Sequence, residues 1–452
     1  MYKSKLPKLN KCTIGIIGLG YVGLPLAIKI ANQRTSLINQ KELQREVIGY
    51  DIDKVRVSEL NRGIDNKRIF SKECLKNTKN IKFTNDKKSL QIVDVFIVTV
   101  PTPINIDHNP DLYYLKEASK IVGEIIKAKD YKKRNPIVIF ESTVYPGVTE
   151  EICIPIIEKI SGKKFNSGEF LNSFYAGYSP ERINPGDLNY TLDSITKVTS
   201  GCNRPVLNWI DSFYGSFISA GTFKVSSIKV AEAAKIIENT QRDINIALVN
   251  ELAMLFKKLD IKTKEVLEAA NTKWNFQKYE PGLVGGHCIG VDPYYLTFKA
   301  KEVGFNTKLI SAGRSINDYM YKYLLEQIIS LVERRKKSLE SQKILLLGLS
   351  YKSNCGDIRN SQLLTLVKSI PKYSMNITIV DPLVNKDEVF KKLSLKTLDK
   401  IPKKNKYSII IFALYHEEFA KITTKELSKY SYKDTIIFDL TNTLSGENIL
   451  NL

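Results

Sequence analysis

The sequence predicts an α/β fold, with two doubly wound parallel-sheet domains joined by a central helical domain. Three observations lead there. Short β-branched runs alternate with amphipathic stretches from Lys11 to about Phe223. From about Ser226 to Ser330 the apolar residues recur at helical spacing instead. After the charged stretch Glu333–Glu340 the first pattern returns. A chain of 452 residues is too long for one core, so several domains are expected on size alone. The expected boundaries are 1–223, 224–335 and 336–452.

In the first domain the expected strands are Thr13–Ile17, Glu46–Asp51, Val93–Val100, Ile137–Glu141 and Ile195–Thr199. In the second, Ala233, Ile236, Ile237, Ile244, Leu248, Leu252 and Leu255 fall on a long first helix. In the third, Lys343–Leu347, Ile377–Val380, Ser408–Phe412 and Thr435–Asp439 read as parallel strands. No sequence repeat is visible beyond this shared style.

Hydrophobic residues at 43% and charged residues at 26% exclude a disordered or fibrous chain. No apolar run approaches the ~20 residues a bilayer span needs. The basic N-terminus leads straight into a strand, so a soluble cytoplasmic protein without membrane insertion is expected. Six scattered cysteines with only three histidines argue against a metal site and against a disulfide framework. The net charge of +20 comes from lysines spread along the chain, the densest run being Arg334–Lys337 at an expected linker. There is no basic stripe with interleaved aromatics, so nucleic acid is not an expected partner.

Thr13–Ile17 runs into Gly18-Leu19-Gly20-Tyr21-Val22-Gly23, a G-x-G-x-x-G turn between a strand and a helix. Gly18 permits the tight turn, Gly20 lets backbone approach a pyrophosphate, and Gly23 lets helix pack on strand. The next strand ends at Asp51, whose carboxylate can accept ribose hydroxyls and would repel a 2′-phosphate, which points to NAD. The spacing from Gly23 to Asp51 is long, which an insertion around Ser36–Gln44 accounts for. Pro101-Thr102-Pro103 and Ser142-Thr143 close two further strands and line a cofactor cleft.

Gly285-Gly286-His287-Cys288 brings a thiol to a loop that backbone-flexible glycines open to a ligand. A helix beginning there would favour thiolate at Cys288 and place Asp292 on the same face. Lys235 and Asn239 are four apart on the long helix, with Arg242 one turn on. They form either a solvated face or a pair that polarises an alcohol or steadies an oxyanion. Glu181, in Ser179-Pro180-Glu181-Arg182, is either a surface-turn residue or a general base. Gly348–Lys352 with Asp357–Ser361 follows a strand and suits a second phosphate-bearing ligand.

Through Gly18–Pro25, Val100–Pro103, Glu141–Gly147, Ser179–Gly186, Lys235–Asn239, Gly285–Asp292 and Gly348–Lys352 with Arg359, the chain resembles the UDP-glucose/GDP-mannose dehydrogenase family. That resemblance implies two Rossmann-like domains, the first for NAD and the last for the nucleotide-sugar, around a helical dimerisation core, and hence a homodimer. It implies that Cys288 attacks an aldehyde formed from the C6 alcohol, giving a thiohemiacetal, then a thioester that water hydrolyses to the uronate. It assigns Lys235 and Asn239 to the oxyanion, and Asp292, Glu181 and Thr143 to protons and water. It assigns Gly18, Gly20, Tyr21, Val22, Gly23, Asp51, Arg56, Thr102, Thr143 and Lys352 to the cofactor. The UDP-sugar falls to Glu181, Arg182, Lys235, Asn239, Arg242, Gly285, Lys352 and Arg359.

Enzymes of the family that act on UDP-glucose carry a second glutamate where this chain has Pro185. Glu181–Gly186 and Pro281–Cys288 are instead similar to the branch that oxidises UDP-N-acetylhexosamines, UDP-N-acetylglucosamine or UDP-N-acetylgalactosamine, for surface polysaccharide. UDP-N-acetylmannosamine is a close rival and UDP-glucose a further one. A two-electron hydroxyacid dehydrogenase would need no Cys288, and a non-catalytic NAD-binding module would need neither thiol nor lysine. The three classes separate on NADH formed per sugar: two, one or none.

Overall fold

The computed structural model describes residues 6–452 apart from 68, 106, 130, 132–133, 168–171, 184–190, 287–288, 371–375 and 447–448. Cys288, with its expected helical relation to Asp292, and Pro185 therefore lie outside the described residues. The chain packs as two compact units, Met1–Glu238 with Tyr294–Val303, and Asn239–Pro293 with Gly304–Leu452.

The first unit is built on strands β1 (Thr13–Ile17), β2 (Glu46–Tyr50), β3 (Ile81–Thr84), β4 (Val95–Val98), β5 (Ile137–Phe140), β6 (Lys164–Phe165) and β7 (Ser173–Tyr178). They form one parallel sheet in the order β3-β2-β1-β4-β5-β7-β6. Helices α1 (Gly23–Asn32), α2 (Lys54–Asn61), α3 (Lys72–Asn77), α4 (Tyr113–Ala128) and α5 (Ile154–Ser161) lie in its crossovers, and α6 (Arg204–Gly215) follows its last strand. Every residue of β4, β5 and β7 is buried, which is why these strands read as unbroken apolar runs rather than alternating ones. The order reverses between β1 and β4, so the crevice beyond their carboxyl ends is where a ligand belongs. The expected insertion is a loop closed by the antiparallel bridge Thr35–Glu42 and tied to Ser216 O by Leu37 N at 3.0 Å.

One strand was expected in the wrong sheet. Among the described residues Lys197–Thr199, here β8, pairs with Thr222–Lys224, β9, in a separate two-stranded parallel sheet. The place beside β5 belongs to β7, whose Ser-Phe-Tyr-Ala-Gly-Tyr composition carries no β-branched signal. Gly177 is needed there because a Cβ would sit 2.4 Å from Ser200 O.

Helix α7 (Ile228–Lys258) runs 31 residues without glycine or proline. Of its expected apolar positions Ile236 is buried, but Ile237, Leu248 and Leu255 are 59%, 54% and 47% exposed. At ~100° per residue these three project within about 20° of one another. Helices α8 (Thr263–Ala270), α9 (Asp292–Glu302) and α10 (Lys308–Arg334) follow, and the cationic run Arg334–Lys337 expected as a linker starts at the last residue of α10 and leaves it through a turn at Arg335 and Lys336.

The second unit carries β10 (Ile344–Leu347), β11 (Ile377–Val380), β12 (Thr397–Leu398), β13 (Tyr407–Phe412), β14 (Ser431–Asp439) and β15 (Ile449–Leu450), with α11 (Gln362–Ser369), α12 (Lys386–Leu393) and α13 (Thr424–Ser428). The order β12-β11-β10-β13-β14-β15 is again doubly wound and parallel. Alternate residues serve opposite faces. Leu346, Ile379, Ile409 and Ile411 join Leu324, Ile328 and Val332 of α10 in one core, while Leu345, Leu347, Ile410 and Phe412 join Phe419 and Leu427 in another. Among the described residues no helix is long and apolar enough to cross a membrane.

The repeat invisible in the sequence is plain in the backbone. Gly18 and Gly348 both take positive φ, +99° and +91°, and their amides donate to Tyr50 O and Val380 O. Leu19 N donates to Asp51 Oδ2 at 2.7 Å, and Leu349 N to Asp381 Oδ2 at 2.8 Å.

Candidate active site

The glycine turn is held open by its neighbours. A Cβ on Gly23 would lie 1.9 Å from Gly18 O and 2.4 Å from Thr99 Oγ1, whereas one on Gly20 would meet only Lys67 Nζ, at 3.9 Å. So Gly23 is required by packing and Gly20 leaves a cradle for a ligand. Asp51 Oδ2 and Oδ1 accept from Leu19 N and Asp53 N, which leaves each oxygen a further lone pair for ribose hydroxyls. Arg56, buried, donates from Nε to Leu19 O at 3.2 Å and pairs through Nη1 with Asp65 at 2.6 Å. Its Nη2 is buried without a hydrogen-bond partner, a donor available to an acceptor at the turn. Tyr21 lies under Lys67 Nζ, 5.5 Å from the ring centre, and Val22 is the N-cap of α1. These residues fit NAD. The equivalent turn in the second unit does not: Ser350 stands at the Gly20 position, and Asp381 is fully buried against His416, Leu349 N, Ser350 N and Leu383 N.

The β4 and β5 loops are joined by Thr102 Oγ1 donating to Thr143 O at 2.6 Å. Tyr295 of α9, buried, donates to Thr102 O at 2.6 Å and so pins that loop. The β5 loop continues to Gly147 and Thr149, whose amides both donate to Glu232 of α7, at 2.6 and 2.9 Å. Glu232 stands three residues before Lys235, so one carboxylate fixes the start of this helix to the cofactor loop. Burial raises its carboxyl from 4.5 to about 7. The folded chain therefore keeps a proton that the unfolded chain releases above 4.5, and stability from this group is greatest below that pH and declines until it ionises near 7. That decline is on the order of 3 kcal/mol. Glu232→Gln should flatten the stability profile between pH 4.5 and 7 relative to wild type, read as melting temperature; an unchanged slope would count against this assignment.

Glu181 is no surface residue. It is 8% exposed, its Oε1 accepts from Arg182 N (2.6 Å) and Ile183 N (2.7 Å), and its Oε2 lies 3.2 Å from Lys197 Nζ. Lys197, from the misassigned strand, also donates to Glu141 Oε2 at 2.8 Å, and Glu141 Oε1 accepts from Tyr214 of α6. Burial raises the Glu141 carboxyl above its ordinary range, and burial with Glu141 pushes the Tyr214 hydroxyl well up. Burial pulls Lys197 down, but Glu141 and Glu181 outweigh it and raise its ammonium. Sequence reasoning missed Glu141, Lys197, Tyr214 and Glu232. A lysine on the same side of its strand as Thr199, and a carboxylate closing an apolar strand, were the available signals. Arg182 bridges to Glu238 of α7 (Nη2–Oε1 2.9 Å) and to Thr196 O.

In the second unit Asn239 Nδ2 donates to Asp292 Oδ2 at 2.5 Å. Asp292 is 1% exposed and opens α9, standing in its first turn rather than one turn into a helix. Lys235, on the part of α7 that belongs to the first unit, is buried, and Arg242 is exposed. The loop before Cys288 is seated on the second sheet's end. A Cβ on Gly285 would lie 2.7 Å from Asn360 O, and one on Gly286 (φ +89°) 2.4 Å from the Tyr351 ring. Gln362 Nε2 donates to Val284 O at 2.9 Å. Lys352 accepts from Ser350 Oγ on its carbonyl, and Arg359 pairs with Asp357.

A glycine turn that fits NAD, at the carboxyl end of a doubly wound parallel sheet, defines a dinucleotide-binding protein of the Rossmann type. Family models for UDP-glucose/GDP-mannose dehydrogenases match residues 12–218 (NAD-binding domain), 229–319 (central domain) and 345–446 (UDP-binding domain). The chain belongs to this family and is an NAD-dependent nucleotide-sugar dehydrogenase. It is 44% identical to UDP-N-acetyl-D-glucosamine 6-dehydrogenase of Pseudomonas aeruginosa over 94% of this chain and 96% of that protein. To protein CapL of Staphylococcus aureus it is 43% identical, over 96% and 97%. Among solved structures it is similar to UDP-N-acetyl-mannosamine dehydrogenase of Pyrococcus horikoshii, with a TM-score of 0.82 and 30% identity over 97% of this chain and 98% of that one.

Proposed function

We propose that this protein oxidises the C6 alcohol of a UDP-N-acetylhexosamine, UDP-N-acetylglucosamine or UDP-N-acetylgalactosamine, to the uronate through a Cys288 thioester, for surface polysaccharide. The observation that carries the chemistry is the 2.5 Å pairing of Asn239 with Asp292, which gathers an amide and a carboxylate at the helix that follows the Cys288 loop. Bound NAD supplies the hydride acceptor. Lys235 and Asn239 steady the oxyanion at C6, Cys288 attacks the aldehyde, and Asp292 and Thr143 hold the protons and water. Glu181 takes the proton of the water that cleaves the thioester. Lys352, Arg359, Arg182, Arg242 and Gly285 hold the nucleotide-sugar. The acetamido branch rests on Pro185 and on the relative named for UDP-N-acetylglucosamine at 44% identity.

The enzyme works as a cytoplasmic homodimer, supported by the exposed apolar face Ile237–Leu248–Leu255 of α7, where a second copy removes that surface from water. A sedimentation mass of one chain would overturn this.

Limiting UDP-N-acetylglucosamine or UDP-N-acetylgalactosamine should yield two NADH per sugar, with UDP-glucose turned over at least ~10-fold more slowly, as a missing acetamido contact costs about 1–3 kcal/mol. One NADH per sugar would sink the thioester route. Turnover of UDP-N-acetylmannosamine or UDP-glucose alone would move the protein to another branch.

A further inference from the structure

We infer that Lys197 is a positioning residue that holds the Glu181 carboxylate aimed, with Glu141 and Tyr214 as the anchor that keeps Lys197 in place. The inference rests on the reading of Glu181 as the base for thioester hydrolysis. In that step Glu181 takes a proton from water, the water oxygen bonds to the thioester carbon, the carbon–sulfur bond breaks, and Cys288 leaves as thiolate.

The arrangement is a buried row of charges. Lys197 Nζ lies between two carboxylates, 2.8 Å from Glu141 and 3.2 Å from Glu181, and its side chain is 3% exposed. Tyr214 closes the far end by donating to Glu141, and Lys197 Nζ also stands 5.2 Å from the centre of its ring. Glu141 and Tyr214 are both almost wholly buried, so they reach neither substrate nor bulk water. Their work is on Lys197.

A base must be ionised and fixed before it can take a proton. Two backbone amides fix Oε1, and Lys197 fixes Oε2, so both oxygens have defined directions. The other charged groups around Glu181 are already committed. Arg182 is turned to Glu238 of α7 and to Thr196 O. Glu141 is the counter-charge that limits the pull of Lys197.

Opposite shifts test this. Lys197→Met removes the cation and keeps the volume, so the acidic limb of the kcat–pH profile should move up. It should also give a burst of two NADH per site followed by slow turnover, with NAD affinity unchanged. Lys197→Arg should restore most of the limb. Glu141→Gln leaves Lys197 with Glu181 alone, so the limb should move down. A merely structural role would move both variants the same way.

An unshifted limb in a Lys197→Met enzyme that still binds NAD, or a limb moved upward in Glu141→Gln, would overturn the inference. If Lys197→Met does not fold, Glu141→Gln decides. Glu181→Gln separates this from the underlying reading. Wild-type turnover in Glu181→Gln would refute Glu181 as base, whereas an impaired Glu181→Gln beside an unshifted Lys197→Met would refute only the role of Lys197.

Discussion

Cys288→Ala should abolish uronate formation, lowering kcat by at least ~10³-fold, because a thioester route has no substitute for its nucleophile. The other five thiols cannot take its place. Cys12 and Cys153 are buried and Cys202 is partly buried, and desolvation pushes each up to about 12, so thiolate is scarce at neutral pH. Burial raises Cys355 as well, and Cys74 lies on α3 of the first unit. The expected residue of activity is aldehyde formation, with no more than one NADH per sugar. NADH counting with mass spectrometry of the product reads both. Two NADH per sugar from Cys288→Ala would mean that hydration of the free aldehyde, not a thioester, carries the second oxidation.

Gly23→Ala should lose NAD affinity by ~10²-fold or more and lower the melting temperature, whereas Gly20→Ala should lose affinity alone. At Gly23 the new methyl would stand 1.9 Å from Gly18 O, which is already held by Thr99 Oγ1 at 2.8 Å. Relief requires α1 to move off the turn by about 1 Å, and a misplacement of that size costs two orders of magnitude at a positioned site. At Gly20 the methyl meets no protein atom nearer than 3.9 Å, so the fold is undisturbed and only the approach of the pyrophosphate is blocked. Titration with NADH by fluorescence, alongside thermal melting, separates the two. Equal melting temperatures for both variants would show that the Gly23 contact is absorbed by the loop.

The sequence by itself determined the doubly wound plan, because parallel strands covered on both faces must be apolar throughout, and that run-and-turn rhythm survives in β1, β4, β5, β10 and β13. It also determined the dinucleotide turn, since Gly18, Gly20 and Gly23 act through local backbone freedom and lie within six residues. Asn239 and Asp292 were legible as chemistry on separate segments, but their pairing across 53 residues was not. What only the tertiary structure decided was burial and partnership. Glu181 could be read as a surface turn until Lys197 was found against it, and Lys197 sat in a strand assigned to the wrong sheet. The replacement strand β7 hid because serine, tyrosine and glycine fill it. Electrostatic partners reach through space and leave no period in a sequence. Hydrophobic burial and tight turns are repeated or local, and these could be read.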